Sequence, residues 1–203
     1  PSSTLFPYTT LFRSSFFNFF TIPVVRGDPE NLLNAPGKIV LSSSVAKRIF
    51  GNQDPVGKVL KTGKDTSAYV VTGVMQDIPG NSHFRAGALV SMLSDPMSHS
   101  QHWGNHHLNT YLLLKPNTDP VAVNEKFKSL VIRHIGPIVE QVMSMSFGEF
   151  LSRGNKHEYY LQNLTDIHLS TSVKPHFLPA GDPKLLRILA GIALLILLVA
   201  AVN

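Results

Sequence analysis

The C-terminal end of the sequence constrains the fold most, because it is an almost uninterrupted apolar run. In residues 185–202, "LLRILAGIALLILLVAAV", only Arg187 is charged, and residues 188–202 form fifteen consecutive apolar positions. A helix that crosses a bilayer needs about 20 such residues, so the run is slightly short and the sequence stops while a span would continue. We interpret residues 182–203 as the start of a transmembrane helix in a truncated chain. A buried helix of a soluble core is the alternative, although almost no polar residue marks a solvated face.

The rest of the 203 residues can hold one ordinary domain or two small lobes. The net charge of +5, from 18 Lys and Arg against 13 Asp and Glu, is spread along the chain. No basic run interleaved with aromatic residues is present, so we expect no nucleic-acid partner. The chain has no cysteine, which excludes disulfides, thiolate metal sites and thiol nucleophiles. The N-terminus shows no secretory signal, so an extracytoplasmic location would require a preceding segment.

The stretch "GNQDPVGKV", residues 51–59, is close to a phosphate-binding loop but departs from it in two ways. Five residues rather than four separate Gly51 from the Gly57-Lys58 pair, and Val59 stands where Ser or Thr would hold magnesium. The order of elements is also reversed, because residues 38–41 predict a strand, residues 42–50 a helix and Gly51 its end. We therefore interpret the stretch as a helix end and a turn that leads into a strand at residues 58–62.

Hydrophobic patterning predicts the remaining elements. Residues 1–14, "PSSTLFPYTTLFRS", show no sustained periodicity, and we expect them to be non-native or disordered. The strands are predicted at residues 68–78, 86–93, 108–115 and 157–169, and the helices at residues 119–135 and 136–154. Strands come first, a helical region interrupts them and a strand returns. This order predicts an α+β fold, with a mixed α/β domain, an inserted second lobe and then the apolar helix.

The densest group of possible metal ligands is "HSQHWGNHH". His99, His102 and His106, with His107 beside them, could gather on zinc, since a catalytic zinc site often uses three protein ligands. However, the segment contains Gly104 and Asn105, lacks an H-E-x-x-H pattern and holds no carboxylate. We expect a solvated loop with no bound metal, and a zinc-dependent enzyme is the alternative.

The turn "DIPGNSHF" places Asp77, Ser82 and His83 close together in sequence. Neighbours along a turn are not aimed at one another as a catalytic triad requires, and no G-x-S-x-G motif is present. We expect no catalytic residue. Asn81, Ser82 and His83 are predicted to fix the passage out of the long strand, with Asn81 in a left-handed turn conformation closed by its side chain.

Several segments together resemble one family. They are "FFNFFTIPVVRGDPENLL", "IVLSSSVAKRIFGNQDPVGKVL", "YVVTGVMQDIPGNSHF", "WGNHHLNTYLLLKPNTDP" and "LTDIHLSTS" followed by the apolar helix. In this order they resemble the MacB-type extracytoplasmic domain of FtsX-like ABC transporter permeases, from about residue 15 to residue 203. The resemblance implies that Gly51, Asp54, Pro55, Gly57 and Lys58 belong to a structural signature rather than to a nucleotide site.

The resemblance also implies the setting of the chain. A permease of this family has four transmembrane helices and stands in the cytoplasmic membrane, with this domain on the extracytoplasmic or periplasmic side. Its partner is an ABC-type ATPase subunit or domain, and a permease dimer is expected. The domain would need no cofactor and perform no bond chemistry, since ATP-driven motion is coupled mechanically to export or release of a substrate. Lys184 and Arg187 would then lie outside, against the positive-inside tendency.

The implied organisation divides the chain into four parts. Residues 1–14 stand apart, residues 15–84 and 156–181 form the membrane-proximal α/β base, residues 85–155 form the inserted lobe, and residues 182–203 form the transmembrane helix. A membrane-tethered sensor or binding module without an ATPase is a further alternative. No residue selects a substrate.

Overall fold

The computed structural model of the chain describes residues 9–13, 15–61, 67–105, 108–169 and 182–202. The chain divides into two compact units, Pro1–Gln101 and His102–Asn203. The first unit holds strand β1 (Thr9–Phe12), helix α1 (Phe16–Phe19), strands β2 (Val24–Gly27) and β3 (Lys38–Ser42), helix α2 (Ser43–Phe50) and strands β4 (Val59–Lys61), β5 (Ala68–Met75) and β6 (Ala88–Ser91). Two short 3-10 turns, Met92–Ser94 and Pro96–His99, follow.

The described strands of the first unit form one mixed sheet in the order β1-β6-β3-β5-β2, with β4 also paired to β5. β3 runs parallel to β5, and β1 runs parallel to β6, while the other pairs are antiparallel. The central strand β3 is buried along most of its length. A strand buried on both faces reads as a continuous apolar run, which is why "KIVL" shows no alternation.

Helix α2 covers one face of this sheet. It packs Val45 and Ala46 on an apolar cluster contributed by three strands, which contains Ile39, Leu41, Val71, Val74, Ala88 and Val90. Successive side chains of a strand point to opposite faces, so Ser91 points away from this cluster. Its hydroxyl donates to the carbonyl oxygen of Leu33 at 2.9 Å. The segment 28–37 therefore covers the second face.

The second unit holds helices α3 (Pro120–His134), α4 (Gly136–Met143) and α5 (Phe147–Ser152), a 3-10 helix at Leu164–Leu169 and helix α6 (Pro183–Val202). Val131, Ile135, Val139 and Phe150 form the core of its helical part. Asp119 caps α3 by accepting the backbone N–H of Val121 at 2.9 Å. The described part of the chain is thus a mixed α/β fold followed by an apolar helix.

Three predicted elements were wrong in part or in full. The predicted strand at residues 108–115 is irregular in the structure, and Leu112 and Leu113 are both exposed. A strand needs a hydrogen-bonded neighbour, and the described residues supply none there. The predicted strand at residues 157–169 is irregular up to residue 163 and then a 3-10 helix, where Asn163 and Asp166 hydrogen-bond through backbone and side chain.

The predicted single helix at residues 136–154 is interrupted. Ser144 adopts a left-handed conformation with φ 53° and ψ 35°, which ends α4. Ser146 then caps α5, because its hydroxyl accepts the backbone N–H of Glu149 at 3.1 Å. Ser and Glu three residues apart form a helix-start signature, and this signal outweighs the apolar periodicity.

The predicted domain boundaries differ from the observed units at two points. Strand β6, which we placed in the inserted lobe, pairs with β3 in the first unit. Leu161, which we placed in the base, donates its backbone N–H to the Asn124 side chain of α3 at 2.7 Å. Within the segment 1–14, residues Thr9–Phe12 form β1. Four residues are too few to show a periodicity in the sequence.

Candidate functional site

The predicted signature begins where helix α2 ends. Gly51 has a φ of 60°, and its N–H donates to the Lys47 carbonyl oxygen. This backbone conformation favours glycine because it lacks a Cβ. Asp54 accepts the N–H of Val56 at 3.1 Å and pairs with Arg26 at 3.3 Å. Both partners of this pair are exposed, so we assign it little stability.

The second half of the signature docks on the sheet. The Gly57 N–H donates to the Val71 carbonyl oxygen at 2.8 Å, and the Val71 N–H donates to the Lys58 carbonyl oxygen at 2.9 Å. Gly57 has a φ of 81°, and Pro55 is buried. Lys58 donates to the Gln53 side chain and lies 5.4 Å from the centre of the Phe50 ring. These contacts join α2 to the edge of the sheet.

The start of α2, where a phosphate would bind a strand–helix unit, carries a carboxylate. Asp77 accepts the backbone N–H of Ser44 at 3.1 Å and its hydroxyl at 2.8 Å. Partial burial alone would raise the pKa of Asp77, but hydrogen bonds from Ser42 and Ser44 outweigh it and hold the pKa below its usual value. A negative charge at this helix end stabilises the helix and repels phosphate. The geometry therefore supports a structural role for the signature at residues 51–58 and not a phosphate site at α2.

The turn after β5 is closed by the backbone. The Ser82 N–H donates to the Pro79 carbonyl oxygen at 3.0 Å. The predicted left-handed conformation of Asn81 was wrong, since neither Gly80 nor Asn81 has a positive φ. Among the described residues, no hydrogen bond uses the Asn81 side chain, which is exposed. A turn of this kind accepts most residues.

His83 belongs to an aromatic cluster. Its ring lies 4.7 Å from that of Phe84 and 6.1 Å from that of Phe20. The cluster also includes Phe12, Phe16, Phe17 and Phe19. Burial lowers the pKa of His83, because the neighbouring rings cannot solvate a charged imidazole. His83 and Asp77 thus contact different parts of the unit, and no triad forms through the Asp77 contacts described above.

The histidine-rich segment shows no metal centre in its described part. His99 ends a 3-10 turn, and His102 accepts the Gly104 N–H at 3.2 Å. His106 and His107 lie outside the described residues. Within the described ranges, no three His, Asp or Glu side chains gather as metal ligands do. The zinc hypothesis therefore gains no support from the geometry.

Trp103 lies in the second unit and contacts helix α3 of the same unit. Its ring stacks on His134 of α3, with centroids 4.0 Å apart and planes 10° apart. The Tyr159 hydroxyl donates to the Trp103 carbonyl oxygen at 3.3 Å. Partial burial raises the pKa of Tyr159. These contacts join Trp103 to helix α3 and to Tyr159 within the second unit.

Helix α6 is the one candidate membrane span among the described residues. It has 20 residues, and no part of its most apolar 18-residue window is buried within the chain. A helix of 20 residues is about 30 Å long, which matches the hydrocarbon thickness of a bilayer. The alternative, a helix buried in a soluble core, is not what the structure has. The C-terminal prediction of an apolar helix is confirmed.

The segment that covers the second face of the sheet was not predicted from the sequence. Thr72 donates its hydroxyl to the Leu32 carbonyl oxygen at 2.6 Å, and Leu32 and Leu33 are both 1% exposed. A Cβ on Gly73 would collide with the Leu32 side chain and would lie 2.7 Å from the Arg26 carbonyl oxygen. A glycine inside a β-branched strand signals such a close approach, and this signal was available in "YVVTGVM".

Solved structures similar to this chain include the following two. The chain is similar to a solved domain assigned to a permease of Porphyromonas gingivalis, with 25% identity and a TM-score of 0.51, over 62% of this chain and 58% of that one. It is more distantly similar to the periplasmic region of MacB from Actinobacillus actinomycetemcomitans, with 14% identity and a TM-score of 0.41, over 60% and 54% of the two chains. The chain thus spans less than two thirds of either solved relative. No curated protein sequence matches it significantly.

The family comparison covers most of the first unit and the start of the second. The profile described as the MacB-like periplasmic core domain matches residues 4–130, which is more than half of the chain. It includes the signature segment, the turn after β5 and the histidine-rich segment. The chain belongs to the MacB-like periplasmic core domain family.

Proposed function

We propose that this chain is the extracytoplasmic domain of an ABC transporter permease subunit, attached to the cytoplasmic membrane by α6. The observation that carries the proposal is the family match over residues 4–130, followed by an exposed apolar helix of 20 residues. The domain is non-catalytic in this proposal. It transmits the ATP-driven motion of a partner ATPase to the export or release of a substrate.

The packing of the first unit supports a mechanical role. The sheet is covered on one face by α2 and on the other by the segment 28–37, and its central strands are buried. A close-packed unit of this kind moves as a rigid body because packed cores deform little. The signature from Gly51 to Lys58 contributes to this rigidity by joining the helix to β5.

The proposed extracytoplasmic location of the first unit is tested by labelling a thiol from outside the cytoplasmic membrane. The chain has no cysteine, so Asn52→Cys in the full-length protein places one thiol at an exposed position of the first unit. We expect a membrane-impermeant maleimide to label it in cells with a permeabilised outer envelope and an intact cytoplasmic membrane. Labelling that requires lysis of the cytoplasmic membrane would contradict the proposal.

The partner is tested by purification. The full-length protein, extracted from native membranes in mild detergent, should carry an ABC-type ATPase in near-stoichiometric amount. A membrane-tethered sensor without an ATPase would be purified alone, and that result would overturn the permease assignment. Zinc titration of the same sample addresses the enzyme alternative: stoichiometric tight binding, lost in His99→Ala/His102→Ala/His106→Ala, would count against a non-catalytic role.

A further inference from the structure

Two cations stand at the beginning of α6 and have no part in the proposed coupling. Lys184 and Arg187 are the charged residues of this helix, and both are exposed. Residues three apart in a helix lie on the same face. The apolar run at residues 188–202 follows directly. The two side chains therefore mark the point where the polar chain becomes a membrane span.

The hydrogen bonds around Lys184 and Arg187 do not neutralise their positive charges. Asp182 uses its carboxylate to cap the helix, accepting the backbone N–H of Lys184 at 2.8 Å. The Arg187 Nε donates to the Pro183 carbonyl oxygen at 3.3 Å, which draws the guanidinium toward the start of the helix. The ion pairs between described residues involve neither cation. Two positive groups and one carboxylate give this helix start a net charge of one.

The bilayer supplies groups that match this charge. Lys and Arg are strongly disfavoured in the hydrocarbon, but at a helix end their long side chains reach the headgroup level. The acceptors at that level are lipid phosphates. Arg binds a phosphate through two parallel N–H donors, and Lys binds it as a point charge.

We propose that Lys184 and Arg187 bind the phosphate groups of anionic phospholipids in the extracytoplasmic leaflet, and that this contact fixes where α6 enters the membrane. The choice of leaflet rests on the proposed function, which places the preceding units outside. Free phosphate shares the chemistry of the contact. Lipid is the ligand here because the adjoining apolar run holds the helix beside the headgroups.

Lipid selectivity tests the contact. The whole chain is reconstituted in phosphatidylcholine vesicles, and its association with spin-labelled phosphatidylglycerol and phosphatidylcholine is compared. We expect a preference for phosphatidylglycerol that falls about fivefold for each charge removed in Lys184→Gln and Arg187→Gln. The control removes the same charges from α3, in Lys126→Gln/Arg133→Gln, and should leave the preference unchanged. A preference that survives in Lys184→Gln/Arg187→Gln overturns the proposal.

Salt separates lipid from free phosphate. Sodium phosphate and sodium chloride of equal ionic strength should weaken the preference equally, because only screening is involved. If phosphate abolishes the preference at a concentration where chloride does not, the contact is a site for the free anion and the lipid proposal is overturned.

The entry point is measured separately with single cysteines at Leu185, Ile188, Leu189 and Ile192 in the same vesicles. We expect an impermeant maleimide to label position 185 and to spare positions 188–192, with a less sharp boundary in Lys184→Gln/Arg187→Gln. Labelling of all four positions would remove α6 from the bilayer and the proposed function with it. Protection at 188–192 without lipid selectivity would overturn the lipid contact alone.

Discussion

At the scale of single residues, Gly73 shows how closely the segment 28–37 packs on the sheet. A Cβ there would meet the Arg26 carbonyl oxygen at 2.7 Å, and backbone cannot move aside as a flexible side chain can. We predict that Gly73→Ala destabilises the first unit by about 1–3 kcal/mol through overpacking. Hydrogen exchange of the β5 amides in the whole chain, converted to opening free energies, measures this change.

Gly80 provides the matched control for Gly73. A Cβ at Gly80 would meet nothing within 4 Å, and its φ is not positive. Gly80→Ala should therefore change stability by no more than about 0.5 kcal/mol. Asn81→Ala, which would cost more if its side chain closed the turn, should be equally mild. Equal effects of Gly73→Ala and Gly80→Ala would contradict the packing described for the second face.

His83 makes the stability of the first unit depend on pH. Burial lowers the pKa of His83 in the folded state below its ordinary value of about 6.5, so the unfolded chain binds a proton more readily. The contribution is fully present above about pH 6.5 and is lost as the pH falls through the folded pKa. The pKa of Asp77 is also lowered, and its contribution is lost only as the pH falls below 3.8.

These two windows can be separated. The opening free energies of the β5 amides are measured between pH 7.5 and 4.5 and corrected for intrinsic exchange. In the parent chain they should decrease as the pH is lowered. They should fall less in His83→Phe, which keeps an aromatic ring among the phenylalanines but cannot titrate. An identical slope in both proteins would show that the cluster does not exclude the charged imidazole.

At the scale of elements, the interruption between α4 and α5 predicts that two substitutions change the stability of the second unit in opposite directions. Ser144 is left-handed, a conformation that costs a side chain about 1 kcal/mol. Ser144→Gly should stabilise the second unit by about 0.5–1 kcal/mol, whereas Ser146→Ala should cost about 1 kcal/mol through loss of the cap. Urea unfolding in detergent, followed by the fluorescence of Trp103, measures both; destabilisation by Ser144→Gly would contradict the assignment of the break.

The elements also show what a sequence can predict. Strand β3, helix α2 and strand β5 were predicted because each carries a local signal. The signals are an apolar run in β3, the glycine that ends α2 and the Val and Tyr residues of β5. The strand predicted at residues 108–115 failed because pairing depends on a neighbour that local sequence cannot reveal. Gly73 does signal a close approach within its strand, but the glycine alone does not show that the approaching residue is Leu32, which is distant in the chain.

At the scale of the whole molecule, α6 decides between a membrane protein and a soluble one. Leu195 lies at the middle of the apolar run and Leu185 near its start, and both are more than half exposed, at 63% and 55%. We predict that Leu195→Arg impairs membrane insertion of the full-length protein, at a cost of about 2.5–3.5 kcal/mol. Leu185→Arg should be mild because its side chain can reach water. Membrane fractionation compares them, and detergent-free solubility of parent and variants alike would contradict the membrane span.

For the candidate site, the family could be predicted from motifs in the sequence, whereas the roles of single residues could not be settled from them. The ordered motifs led to the family, and the profile match over residues 4–130 bears this out. The structural roles predicted for Asp54, Lys58 and His83 remain predictions. The contacts described above for these three residues all lie within the first unit.

The central claim, that this domain moves with ATP, is tested most directly by a distance measurement. Asn52→Cys is spin-labelled in the full-length permease, which is purified with its ATPase and reconstituted in nanodiscs. The distance between the spin labels of the two protomers of the expected dimer is then measured by double electron–electron resonance. We predict that the distance distribution shifts when ATP is trapped with vanadate. It should stay at its nucleotide-free position when the P-loop lysine of the ATPase is replaced. A distribution that is the same with and without trapped ATP would contradict the account.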